Sequence, residues 1–180
     1  HMGSPLIEGL IFVHSALVGF SVRDRIRVCA SGKITSGFGM VKRLALGADV
    51  CNSARGMMLA LGCIQALRCN SNHCPVGITT QNPQLVAGLV PSLKSVRAAN
   101  FQRGTLASMS EIMGAMGIAE PSELRPWHIM RRTSPTEIHH YGELFEFLAP
   151  DRLLQEPLPE TYARACQAAS ADTFAYVATV

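Results

Sequence analysis

Apolar residues recur at helical spacing over residues 5–20. Leu6, Leu10, Val13 and Leu17 share one face, Pro5 suits a first turn and Gly19 suits the end. A short apolar run over 26–30, Ile-Arg-Val-Cys-Ala, then predicts a strand. It runs into Ser31-Gly32-Lys33 and Thr35-Ser36-Gly37. Residues 40–46 predict a helix with Val41, Leu44 and Ala45 on one face, closed by Gly47. Residues 48–51 predict a second strand, and Ser53-Ala54-Arg55-Gly56 turns into an apolar helix over 57–67. This alternation with short connections predicts a parallel sheet covered by helices. Neither strand alternates apolar with polar residues, which predicts burial on both faces.

The pattern changes beyond Cys74. Residues 76–90, with Pro83 and scattered glycines, read as loop with at most one short helix. Residues 92–116 predict a long helix whose apolar face runs through Leu93, Val96, Ala99, Phe101, Leu106, Met109, Ile112, Met113 and Met116. Its methionines read as core filler. Residues 127–132 predict a short helix. Ser134-Pro135-Thr136-Glu137 resembles a capping start for a helix over 138–148. On such a helix the adjacent His139 and His140 diverge, so both read as surface residues. His14, on the first helix, also reads as a packing or surface residue. A last helix falls near 161–169, and the apolar residues 174–180 read as a docking strand or a frayed end.

Composition narrows the class. The chain has 180 residues, enough for one domain or most of one. A hydrophobic share of 48% against 16% charged describes a packed core and excludes a disordered chain. No apolar run nears the roughly 20 residues that span a bilayer, so no membrane partner is expected. Net charge is +3 without a dense basic run. Arg131-Arg132 and Arg23, Arg25 and Arg27 read as surface charge or carboxylate partners, and no nucleic-acid partner is expected. The six cysteines are bunched and no secretory segment is evident, which points to reduced thiols in the cytoplasm. Residues 1–4 read as a tag remnant. The chain, opening at Pro5 without a start methionine, is expected to continue upstream.

Two stretches carry chemistry. Each predicted strand ends in a small or polar turn that opens a helix, where free backbone amides and a positive helix end suit an anionic phosphate. The candidates are Ser31, Gly32 and Lys33 in the first turn and Ser53, Ala54 and Arg55 in the second. Ser53 can cap the following helix and donate to a phosphate oxygen. Two consecutive strand-to-helix loops sharing one phosphate is the arrangement after the last two strands of a (β/α)8 barrel. Simple helix capping explains the same residues.

The second stretch holds Cys63, Cys69 and Cys74 at C-x5-C-x4-C, with Pro75 following. Zinc prefers closer pairs, and His73 as a fourth ligand is strained by adjoining Cys74. Iron–sulfur clusters accept wider spacings and often precede a proline, and three thiolates suit a three-iron cluster. Iron–sulfur cluster, zinc and three buried free thiols all remain open on spacing.

Taken together, Ala30-Ser31-Gly32-Lys33-Ile34, the run from Leu46 through Arg55-Gly56, and Gly62-Cys63 through Cys74-Pro75-Val76-Gly77 to Pro83 resemble the glutamate synthase family. More closely, they resemble its stand-alone FMN-binding bacterial members. Val96-Arg97-Ala98-Ala99-Asn100-Phe101 and Pro121-Ser122-Glu123-Leu124 extend the likeness downstream. The resemblance implies an α/β, helix-rich fold: the C-terminal portion of a (β/α)8 TIM barrel, strands seven and eight, followed by a mainly helical extension. It implies FMN, its phosphate on the six turn residues, and a 3Fe–4S cluster on Cys63, Cys69 and Cys74. It implies an oxidoreductase that forms glutamate from 2-oxoglutarate through electron transfer between cluster and flavin.

The domain layout expected from this is a partial FMN-binding barrel over 5–90, with its cysteine loop at 63–77. A helical extension over 91–150 and a tail over 151–180 follow. A complete barrel needs about 250 residues, so strands one to six and the substrate residues fall outside the chain. The isolated chain is then expected to be inactive in that reaction and to self-associate as a homo-oligomer through open sheet edges. The competing function is a non-catalytic metal-binding or self-associating module built on the cysteine loop. A hydrolase is disfavoured, since no G-x-S-x-G elbow occurs.

Overall fold

The computed structural model describes residues 3–173. Helix α1, Leu6–Gly19, buries Leu10, Ile11 and Ser15. A 3-10 turn at Arg23–Arg25 leads into β1, Cys29–Ser31. Helix α2, Gly37–Ala45, is capped by Ser36, whose hydroxyl accepts from the Gly39 amide at 3.1 Å. Strand β2, Val50–Asn52, precedes α3, Ala54–Leu61, which stops at Gly62 in a left-handed conformation. A short α4, Pro83–Val86, interrupts the loop before the 25-residue α5, Pro91–Ala115. Strands β3, Met130–Arg132, and β4, Ile138–His140, are followed by α6, Tyr141–Leu144, and α7, Glu160–Ala168. The chain is thus α/β and helix-rich, and residues 174–180 lie outside the described residues.

Strands β1 and β2 pair in parallel, with Cys29 opposite Val50, Ala30 opposite Cys51 and Ser31 opposite Asn52. The expected burial on both faces is not observed. Ala30 is buried, whereas Cys29, Ser31, Val50 and Asn52 are exposed, so helices cover only one face of the pair. The apolar composition reflects what the sheet can accept, not what covers it here. Among the described residues β1 and β2 form a two-stranded sheet, and each has one unpaired edge.

The core lies between α1, α2 and the C-terminal half of α5. Val41 and Leu46 are fully buried and pack with Leu10, Ala45, Met109 and Met113. Each such aliphatic side chain contributes about 2 kcal/mol of burial. Gly37 permits the close crossing of α2 and α5, since a β-carbon there would lie 2.4 Å from the Met109 amide. The methionines of α5 are core filler, as the sequence suggested. Its N-terminal apolar residues are not: Leu93 and Val96 are more than half exposed. Gly104 faces open space, and α5 runs through it unbroken.

One expected helix is absent and another is reduced to the four residues of α6. Residues 126–128 form a 3-10 turn, and 130–132 pair antiparallel with 138–140, so the predicted helix over 127–132 is a turn and a strand. Ser134-Pro135-Thr136-Glu137 does not cap a helix over 138–148. It closes the hairpin, with the Thr133 amide donating to the Glu137 carbonyl at 3.1 Å. Ser-Pro initiates turns as readily as helices, and the cross-strand ladder here decides between them.

Candidate functional site

The C-terminal ends of β1 and β2 stand side by side, so their following turns are neighbours. Ser31 ends β1, and Gly32 and Lys33 follow with φ of +148° and +51°. Lys33 is exposed. Ser53 lies between β2 and α3. It does not cap α3: its hydroxyl donates to the Ile34 carbonyl and ties the second turn to the first. The first amides of α3, from Ala54 onward, therefore have no side-chain cap, and the exposed Arg55 stands in that first turn. Beneath the first turn, Arg43 of α2 donates to the Gly32 carbonyl at 3.2 Å, and its Nε is buried with no partner. Uncapped helix amides at a strand-to-helix turn suit an anion.

A polar network, missed as a unit in the sequence, holds the opposite ends of these strands. The Asp49 carboxylate, just before β2, accepts from the Val28 amide at 2.7 Å, just before β1. It also pairs with Arg23 at 2.8 Å and more loosely with Arg27 at 3.5 Å. Arg23 further donates to His14 Nδ1 at 3.1 Å and to the Gly47 carbonyl at 2.9 Å. Burial opposes the Asp49 charge, but the Val28 amide and Arg23 outweigh it and hold the pKa below its ordinary value. Burial, then the Arg23 charge, pushes the His14 pKa down against the pull of Asp49. Arg23 and Asp49 lie 26 residues apart, and no local pattern signals that they meet. Carboxylate pairing of the Arg23 and Arg27 cluster was the available clue. Beside this network lies an open cleft of about 830 Å³ lined by His14, Arg23, Arg27, Asp49, Arg125 and Trp127.

The three cysteines differ. Cys63 follows α3 and is half-buried, Cys69 is exposed and Cys74 is buried. Amides of Thr79 and Val76, against the opposing effect of burial, and with help from the Thr79 hydroxyl and Ile78 amide, hold the Cys74 thiol down at about 7. The Thr79 oxygen is buried without another partner. The Gly77 turn makes this wrap possible: φ is +77°, and a β-carbon there would lie 2.4 Å from the Leu85 carbonyl oxygen. Thr79, Val76 and Ile78 sit in the Pro75–Thr79 stretch of the motif, yet only folding brings their donors to the sulfur. Among the described residues no three His, Cys, Asp or Glu side chains are grouped to hold a metal ion. Cys74 is thus prepared as an anion, but Cys63, Cys69 and Cys74 do not stand together as a ready ligand set.

His139 and His140 do not diverge on a helix. Their ring nitrogens each lie 3.3 Å from the Glu143 carboxylate.

Two parallel strands, each followed by a turn that opens a helix, with a cysteine loop after the second helix, define the class as an α/β protein. The family described as a conserved region in glutamate synthase matches residues 1–119. The glutamate synthase large subunit-like protein YerD of Bacillus subtilis is 34% identical over 143 residues, covering 79% of this chain and 27% of its own. An archaeal glutamate synthase (NADPH) of Methanocaldococcus jannaschii is 35% identical over 125 residues, covering 69% of this chain and 24% of its own. A ferredoxin-dependent glutamate synthase of Arabidopsis thaliana is 31% identical over 134 residues, 69% of this chain and 8% of its own. The chain belongs to the glutamate synthase family. It spans about a quarter of the length of the first two relatives. Among the described residues no helix is long and apolar enough to cross a membrane.

Proposed function

We propose that the chain is part of the FMN and iron–sulfur barrel of a cytoplasmic glutamate synthase-type oxidoreductase, with β1 and β2 as the last two barrel strands. One observation carries this reading: two parallel strands end in turns tied together by Ser53, directly ahead of the cysteine loop. Ser31, Gly32, Lys33, Ser53, Ala54 and Arg55 would hold the FMN phosphate. The α3 amides and Arg55 neutralise its charge, while Ser53 fixes the spacing of the two turns. Cys63, Cys69 and Cys74 would hold the 3Fe–4S cluster once the loop closes on it. In this structure the three are not gathered. FMN, when bound, supplies the two-electron reduction that forms glutamate from 2-oxoglutarate and ammonia. The chain's own contribution is to anchor the phosphate. On this reading the chain alone is inactive in this reaction.

A second reading, a self-associating or metal-binding module without catalysis, is favoured by the bare face of β1 and β2 and their open edges. Anaerobic reconstitution with iron and sulfide, in the presence of FMN, separates the two. The proposal expects iron–sulfur absorption that disappears when Cys63, Cys69 or Cys74 is changed to serine. A colourless protein, or iron uptake that survives all three changes, overturns the cluster assignment. Flavin that stays bound after Ser53→Val and Arg55→Glu overturns the phosphate assignment.

A further inference from the structure

The open cleft of about 830 Å³ lies at the ends of β1 and β2 opposite the two turns assigned to FMN, since Arg27 precedes β1 and Gly47, Ala48 and Asp49 precede β2. Its volume falls within the range of small-molecule sites, about 300–1,000 Å³. This chain supplies both walls. One is the C-terminal part of α1 with the residues just ahead of each strand. The other is the segment 121–127 with His140, Gly142 and Phe147. None of the described residues lining the cleft belongs to the two turns or to the cysteine loop.

The first wall has little bonding capacity left. Arg23 gives its donors to His14, Ile26, Gly47 and Asp49, and Asp49 accepts from Arg23 and Val28. Two other guanidiniums keep free donors. Arg27 is exposed, and among the described residues its side chain meets only Asp49, at 3.5 Å. Arg125 is pinned through Nη1, which donates to the Ser122 and Leu124 carbonyls at 2.6 and 2.8 Å. Among the described residues its Nε and Nη2 have no partner. These two nitrogens form one edge of the guanidinium, the edge that takes a carboxylate or phosphate side-on. Asp24 is the carboxylate that opposes an anion here: it is exposed, lines the cleft and has no ion pair among the described residues. Trp127 lines the same wall as Arg125 and is 56% exposed. Its aromatic neighbour among the described residues is His128, at 5.8 Å and 71°, so no ring lies parallel on the indole.

We propose that this cleft binds a small ligand that joins a flat heteroaromatic ring to a phosphate, of the nucleoside monophosphate class. The ring stacks on Trp127. The phosphate takes the Nε and Nη2 edge of Arg125, with Arg27 as the second cation. A bare anion leaves the indole uncovered, and a neutral ring leaves both guanidiniums unpaired, so the ligand carries both groups. A phosphate dianion answers two free arginines better than a single carboxylate does. The Arg23, His14 and Asp49 network fixes the facing wall before the ligand arrives, which lowers the cost of ordering the site. The assignment stands whether or not FMN or a cluster binds at the other end of the strands.

The test is the fluorescence of Trp127, the one tryptophan of the chain, titrated with AMP in the full chain. The expected result is a saturable change with a midpoint below about 1 mM. Adenosine and inorganic phosphate, each added as a competitor, should displace AMP at least about tenfold less well than AMP binds. Arg27→Glu/Arg125→Glu should weaken AMP binding more than about tenfold, with a circular dichroism melt to show that the variant folds. Asp24→Asn should tighten it about twofold or more, which loss of folding cannot mimic. No saturable change up to about 5 mM AMP overturns the proposal. So does phosphate or adenosine that competes as well as AMP, since one half of the ligand then suffices. An Asp24→Asn protein that binds no tighter also overturns it. So does a response that survives Arg27→Glu/Arg125→Glu and is lost with Arg55→Glu, which places the binding at the strand-end turns.

Discussion

Asp49 is the residue whose loss should be felt most at the base of the two parallel strands. Its carboxylate accepts from the Val28 amide and pairs with Arg23, and its side chain is 21% exposed. Asp49→Ala leaves the Val28 amide without its acceptor and removes the counter-charge of a mostly buried guanidinium. A hydrogen bond to a charged group is worth about 1.5–3 kcal/mol. Arg23 keeps the His14 nitrogen and the Gly47 and Ile26 carbonyls, which limits its share of the loss. Allowing also for solvent screening at the partly exposed carboxylate, Asp49→Ala should cost about 3 kcal/mol, or a melting shift of roughly 6–12 °C. Asp49→Asn keeps an oxygen for the amide and should cost about half as much. Because the folded pKa of Asp49 lies below 3.8, its contribution is present above pH 3.8 and lost as pH falls through the folded value. The gap between wild type and variant should therefore hold from pH 7 down to 3.8 and narrow only below it. Urea unfolding followed by circular dichroism at pH 7 and on through the acid range measures this. A loss under about 0.5 kcal/mol at pH 7, or a gap that persists in acid, would refute the reasoning.

His14 titrates in a separate window: its folded pKa is below 6.5, so the unfolded chain takes the proton first and stability should fall as pH drops below 6.5. His14→Gln should flatten that slope in the same urea series. Gly47→Ala meets the His14 ring at 2.2 Å and sits at φ +109°, so it should cost about 3 kcal/mol or more, with part recovered in the double variant with His14→Ala. A Gly47→Ala protein with an unchanged urea midpoint would contradict this contact. Alkylation of Cys74 in the metal-free protein, followed by mass spectrometry against pH, should show a midpoint at about 7, and Thr79→Val should raise it. A midpoint at the ordinary 9.0 would mean that the surrounding amides do not reach the sulfur.

Much of the first 115 residues was legible in the chain itself. Helices α1, α2, α3 and α5, both parallel strands and the two turns that follow them were all expected, though with shifted ends. Such elements are local: apolar spacing, a serine or proline at the start and a glycine at the end act within a few residues. The cysteine spacing and the strand-to-turn segments also sufficed to suggest the family before any fold was known. Other features depended on partners far along the chain. The hairpin at 130–140 won over two helices because cross-strand pairing outweighs a local capping signal. Leu93 and Val96 read as core, yet they lie beyond the part of α5 that α2 covers. Ser53 read as a helix cap and instead bonds nineteen residues back to Ile34. Asp49 meets Arg23, and Cys74 gathers amides from its own loop, only once the chain has folded. Sequence alone determined the regular segments of the first 115 residues and the residue types offered at the two turns and the cysteine loop, because those depend on local preference. Tertiary structure alone decided which face of the sheet is covered, which charges are paired and which thiol is primed, because burial and electrostatics depend on groups that meet only in space.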